Sequence, residues 1–120
     1  MNFSESLKKN TDFQHVYKKG RSCANKFFIM YVCENGLEIN RLGVSVSKKV
    51  GNSVVRHKVK RLVKESYRLH ENVFNSGLDI VVIARNSAKD IGFREVESAL
   101  LHLGKLNKII KVWKNFLLHV

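Results

Sequence analysis

A chain of 120 residues with 44% hydrophobic content can bury one real core, which excludes a disordered basic tail. Its 22 Lys and Arg against 10 Asp and Glu leave a formal net charge of +12, a field that repels itself without a polyanion partner. Cys23 and Cys33 form no disulfide framework, Met1–Leu7 is too short and polar for a signal peptide, and no run nears the ~18 apolar residues of a membrane span, so a cytoplasmic protein is expected.

In chain order, Asn10, Thr11 or Asp12 can cap a short helix running to about Lys19 and ended by Gly20. Phe13, Val16 and Tyr17 share one face of it. Lys26–Cys33 is an almost continuous apolar and aromatic run that reads as a strand. Phe27, Ile29 and Tyr31 point one way in it, and Phe28, Met30 and Val32 the other. Glu34-Asn35-Gly36 marks a turn. Leu42–Ser47 alternates Leu42, Val44 and Val46 with Gly43, Ser45 and Ser47, a half-buried strand whose second face is small and polar.

Gly51-Asn52-Ser53 supplies two good N-cap residues for a helix expected to reach about Asn72. Asp79–Arg85 reads as a third, buried strand. Ser87 or Asp90 can cap a helix over roughly Gly92–Leu103, and the tail from Lys105 to Leu118 is also helix-periodic. Leu106, Ile109, Ile110, Trp113, Phe116 and Leu117 give that tail an apolar face, expected to pack on the domain rather than on a membrane. With no linker or repeat, residues 1–120 are expected to form a single α+β domain in α-β-β-α-β-α order, with a helical tail over about 105–120.

Charge concentrates between Arg41 and Arg68. This stretch holds nine Lys or Arg residues and one acid, Glu65, whereas the other 92 residues hold 13 basic and nine acidic side chains. At about 100° per residue, Arg56, Lys60, Lys64 and Arg68 form an i, i+4 ladder. His57 and Arg61 complete a stripe of roughly 140°, with Val55, Val59, Leu62, Val63 and Leu69 opposite and Lys58 at an edge. Amphipathicity alone shows only packing. Uniform sign shows more, because like charges at i, i+4 repel by ~0.2–0.5 kcal/mol per pair and a plain surface helix mixes in Glu. Lys48 and Lys49 lead into this helix, whose free N–H groups add an anion seat.

Protein-based hydrolysis would need a paired acid and base or metal carboxylates. Asp79, Asp90, Glu95 and Glu97 scatter over different elements, and His15, His57, His70, His102 and His119 are equally dispersed. Cys23 and Cys33 lack a CxxC companion for zinc. No residue is expected to be catalytic, and no metal to be held by the protein alone.

The wording of the stretch RLGVSVSKKVGNSVVRHKVKRLVKESYR (Arg41 to Arg68) closely resembles the signature of the bacterial ribonuclease P protein family. Ser45-Val46-Ser47-Lys48-Lys49, Gly51-Asn52, Arg56 and Lys60-Arg61 match the family's SVSKK strand end, GN turn and R-N-R-x-K-R helix. His57 and Lys58 depart from its Asn and Arg, and Lys cannot reproduce the guanidinium fork. Leu7-Lys8-Lys9-Asn10-Thr11-Asp12-Phe13 is similar to the family's LKKNxDF entry, and Asp79–Arg85 to its last strand.

The resemblance implies an α/β sandwich with a left-handed split βαβ crossover, akin to a ribosomal-protein domain. It implies a protein subunit that helps a catalytic RNA remove the 5′ leader from precursor tRNA, with Mg²⁺ bound mainly by that RNA. It further implies one monomeric protein per RNA and no membrane partner. On this reading Lys48, Asn52, Arg56, Lys58, Lys60, Arg61, Lys64 and Arg68 bind the catalytic RNA. Phe13, Tyr17, Ile29, Tyr31, Ser45 and Lys49 bind the unpaired leader. The alternative is a non-enzymatic, ribosomal-type RNA-binding protein on the same fold.

Overall fold

The strand Leu78–Ala84 buries Leu78, Ile80, Val81, Val82 and Ala84, so both of its faces must be covered. The computed structural model describes residues 4–111. Its strands are β1 (Ser4–Ser6), β2 (Arg21–Ala24), β3 (Phe28–Glu34), β4 (Asn40–Ser45) and β5 (Leu78–Ala84). Its helices are α1 (Asn10–Lys19), α2 (Ser53–Leu69) and α3 (Phe93–Leu106). One sheet runs β1-β4-β5-β3-β2, with β4 parallel to β1 and β5, and β3 antiparallel to β5 and β2.

Alternation along the strands sorts the side chains into two cores. Val81 meets Val16 of α1 and Leu7 on one face, with Phe13, Tyr17, Tyr31, Cys33 and Ile83 packed around them. Phe28, Met30, Val32, Leu42, Ile80 and Val82 fill the other face. Val59, Leu62 and Val63 of α2 and Val96, Leu100 and Leu103 of α3 close it. The fold class is therefore α+β as expected, an α/β sandwich with α1 on one side and α2 and α3 on the other.

Several expectations need correction. β1 and β2 were not legible, because SES and RSCA are polar edge segments with no buried face to impose a period. β4 and β5 are direct neighbours, with Val44 opposite Val82, so no strand splits the βαβ unit that α2 connects. α2 ends at Leu69 rather than near Asn72; His70 leaves the helix and a 3-10 turn, Glu71–Val73, follows. The expected tail helix fails over its first residues: α3 itself runs to Leu106, Lys108 takes φ 60°, and Ile110 bridges to Phe74. The rest of that expected helix lies outside the described residues.

A polar network ties the first strand to α2. Asn40 is 4% exposed; its Nδ2 donates to Asn75 O at 2.7 Å and to Tyr67 Oη at 3.1 Å, and its Oδ1 accepts from Leu78 N at 2.9 Å. Tyr67 Oη lies 2.8 Å from Ser4 Oγ. Burial pushes the Tyr67 phenol above its ordinary value of 10.0, with the hydrogen bonds to Ser4 and Asn40 opposing that rise. The folded chain thus keeps this proton at pH values where the unfolded chain has lost it, so stability falls as pH rises past 10. Tyr67→Phe is expected to cost about 1 kcal/mol at neutral pH and to flatten the alkaline loss, read by urea unfolding on either side of pH 10.

Candidate nucleic-acid interface

Asn52 starts α2 by accepting the Val55 N–H on its side-chain oxygen at 3.0 Å. Arg56 donates from Nη1 back to Gly51 O at 3.2 Å, so it braces the turn that leads into its own helix. Val59, Leu62, Val63, Ser66 and Tyr67 are buried against the sheet and α3. His57, Lys58, Arg61, Lys64 and Arg68 are exposed, whereas Arg56 and Lys60 are half-buried on the flank shared with Tyr67. The outward ridge is thus centred near Arg61. Leu69, placed in the apolar stripe by the wheel, is 54% exposed because it closes the last turn beyond the packed stretch. The only acid on this helix, Glu65, pairs with Arg61 at 3.5 Å, an exposed i, i+4 contact worth little.

Lys48 and Lys49 are exposed in the turn between β4 and α2, where Val50 N donates to Ser47 O at 3.1 Å. This turn joins the cationic ridge to the opposite sheet face. There Phe13 and Tyr17 of α1 lie over β4, β5 and β3. Their ring centroids are 6.4 Å apart, and Tyr17 meets Tyr31 edge-on at 5.1 Å. All three rings are half-buried, an aromatic surface that is neither sealed core nor free surface. Burial pushes the Tyr17 phenol up, a hydrogen bond with the Ser45 side chain works against this, and the nearby Tyr31 hydroxyl adds to it. Beside α1, Ser45, Ile83 and Ile29 stand in register across three strands and form the groove floor.

Five of the six expected leader contacts therefore share one face, with Lys49 in the adjoining turn. Phe27 departs from the expected set. Ladder pairing begins only at Phe28, and Phe27 packs against the core on the α2 and α3 side.

Two contributors were missed. Gly43 has no Cβ because one would stand 2.6 Å from Phe13 Cζ and 2.8 Å from its Cε1, so the ring rests on bare backbone. Arg41, counted above with the cationic block, is committed elsewhere. Its Nε and Nη2 donate to Asp79 at 2.8 and 2.6 Å, and Nη1 lies 3.7 Å from Asp12 beside Phe13. Bonding to Asp79 holds this guanidinium protonated even more firmly than usual. Cross-strand register, Arg41 opposite Asp79, could not be read before the sheet order was known.

Three of the four acids weighed as candidate catalysts are otherwise engaged. Asp79 serves Arg41 and Asn35, Glu95 accepts the Gly92 N–H at 3.2 Å, and Glu97 lies 2.8 Å from His70 Nε2. Among the described residues no cluster of three or more His, Cys, Asp or Glu could hold a metal ion. No helix among them is long and apolar enough to cross a membrane.

The sequence profile of the ribonuclease P family, described as "Ribonuclease P", matches residues 1–108. The chain belongs to that family. The ribonuclease P protein component of Lachnoclostridium phytofermentans is 62% identical over 107 residues, covering 89% of this chain and 92% of that one. That of Clostridioides difficile is 44% identical, covering 90% and 96%. Among solved structures, the RNase P protein of Staphylococcus aureus superposes with a TM-score of 0.82 at 44% identity, covering 88% and 96%. The Thermotoga maritima protein gives 0.78 at 36% identity, covering 84% and 96%. The family member described here is thus the auxiliary subunit of an endoribonuclease of tRNA processing whose catalytic subunit is RNA. The ribosomal-type alternative is set aside.

If Gly43 exists to seat Phe13, Gly43→Ala should destabilise the fold by about 1–3 kcal/mol through overpacking. In a Phe13→Ala background the same change should cost far less. Denaturant unfolding of the four proteins in that cycle measures the difference.

Proposed function

We propose that the two surfaces divide the RNA between them. The basic side of α2 and its leading turn, with Lys48, Asn52, Arg56, Lys58, Lys60, Arg61, Lys64 and Arg68, holds phosphates of the catalytic RNA. The groove of Phe13, Tyr17, Ile29, Tyr31 and Ser45, with Lys49 at its mouth, takes the single-stranded 5′ leader of precursor tRNA. One observation supports this most directly: a face of exposed cations and a face of half-buried rings meet at the Lys48–Asn52 turn. Cations on a rigid helix suit the phosphates of folded RNA, which offer charge without sequence. Rings suit unpaired bases, since every base has a π-face and stacking tolerates any leader.

Within this reading Asn52 acts mainly by capping α2, since its oxygen is already bonded to Val55 N. Mg²⁺ is bound mainly by the RNA, since the carboxylates at these surfaces are already paired, Glu65 with Arg61 and Asp12 with Arg41. The ridge screens phosphate repulsion around those ions. The protein works as a monomer, one per catalytic RNA, in the cytoplasm.

Phe13→Ala and Tyr31→Ala should each weaken precursor tRNA binding to the holoenzyme roughly tenfold while leaving mature tRNA almost unaffected. Equal loss for both RNAs in an equilibrium binding assay rejects the groove. Arg61→Ala or Lys64→Ala should weaken catalytic-RNA binding and lower the slope of log affinity against log salt by about one. An unchanged slope moves the RNA face elsewhere.

A further inference from the structure

The turn Asn25–Phe27 between β2 and β3 is held more firmly than a connection requires. Asn25 Oδ1 accepts the N–H groups of Phe27 and Phe28 at 3.1 and 3.0 Å, and its Nδ2 donates to Ala99 O of α3 at 3.0 Å. Arg85 donates from Nη1 to Asn25 O at 2.8 Å, and Ser87 Oγ donates to Lys26 O. Lys26 and Phe27 themselves stand outside the strand ladder, with Lys26 Nζ 5.3 Å from the Phe27 ring centroid. A rigid backbone thus presents a cation and an aromatic ring together.

They border two depressions. One, of about 410 Å³, lies against α3 and is lined by Lys26, Phe27, Arg94, Ser98 and His102. Glu95, its one acid, accepts the Gly92 N–H, and Lys26 with Arg94 gives the lining a net positive charge. The other, of about 550 Å³, is lined by Lys26, Ile29, Ile83 and Arg85. Ile83 and Ile29 belong to the cross-strand row that begins at Ser45 in the groove. Lys26 is common to both, so the largely apolar row from Ser45 crosses about 10 Å of sheet to a depression edged by Lys26 and Arg85, and Lys26 also borders the pocket on α3.

We propose that the pocket of Phe27, Arg94, Ser98 and His102 is a distal subsite for single-stranded RNA, taking leader nucleotides upstream of those in the α1 groove. This rests on the leader reading of that groove. A nucleotide brings an aromatic base and a phosphate, and the pocket lines up a ring, Phe27, with two cations, Lys26 and Arg94. Its volume falls in the range of small-ligand sites, and its prebuilt turn lowers the ordering cost of binding.

The test uses holoenzyme reconstituted with its catalytic RNA and two precursor tRNAs. One carries a leader short enough to end within the groove, the other an unstructured leader several nucleotides longer. Arg94→Ala and Lys26→Ala should each weaken the long-leader precursor about fivefold to tenfold and leave the short one at wild-type affinity. An unchanged ratio between the two precursors overturns the subsite, as does equal loss for both. Phe13→Ala reports separately: no loss on either leader would sink the groove reading, whatever Arg94→Ala does. A photo-crosslinking p-benzoyl-phenylalanine placed at Ser98 should attach to the long leader. Attachment to the catalytic RNA alone, or none, overturns the proposal.

Discussion

Helix α2 stays seated because its buried stripe outweighs its own charge. Val59, Leu62, Val63 and Tyr67 are all buried, at about 1.5–3 kcal/mol for each fully buried apolar side chain. The ladder Arg56, Lys60, Lys64, Arg68 opposes this with like-charge contacts of only ~0.2–0.5 kcal/mol per pair. Burial wins several-fold, and it does more than keep the helix folded. It fixes the rotation of α2, and so decides that Arg61, Lys64 and Arg68 face outward while Arg56 and Lys60 are left half-buried. The electrostatic penalty left in the free protein is what an RNA partner relieves.

The same strand that delivers the chain to this helix also floors the groove. β4 places Gly43 beneath Phe13 and Ser45 beside Tyr17, then leaves through Lys48 and Lys49 into the α2 cap. Arg41, earlier on the strand, grips buried Asp79 and reaches Asp12 of α1, the helix that carries Phe13 and Tyr17 and is seated by buried Val16. One short segment therefore sets the geometry of both surfaces. Its parallel pairing to β5 leaves no freedom of register between them.

This arrangement divides the labour of recognition by chemistry. Phosphates of a folded RNA carry charge but no sequence, and a rigid row of cations suits them. An unpaired leader varies in sequence, and aromatic surface suits it because stacking is indifferent to base identity. Three of the four acids that might have cut RNA are instead structural, Asp79 tied to Arg41, Glu97 to His70 and Glu95 to the start of α3. That accords with a family in which the RNA performs the hydrolysis.

The sequence alone determined the period and sign of α2, the alternation of β3 and β4, and the family wording around Ser45–Arg61, since these are local and repeat along the chain. It also sorted Ile29, Tyr31 and Ser45 onto strand faces, because a period of two does so before any partner is known, and put Phe13 and Tyr17 on one helix face at i, i+4. Polar β1 and β2 stayed hidden, having no apolar face to betray them, and Phe27 was sorted wrongly because the strand starts at Phe28 rather than Lys26. Only the tertiary structure decided that Arg41 answers Asp79, that Gly43 clears space for Phe13, and that α2 ends at Leu69. Each depends on which strand lies beside which, and on how far a helix remains over its packing surface. Those are long-range facts, set by burial of the whole sheet rather than by any window of neighbouring residues.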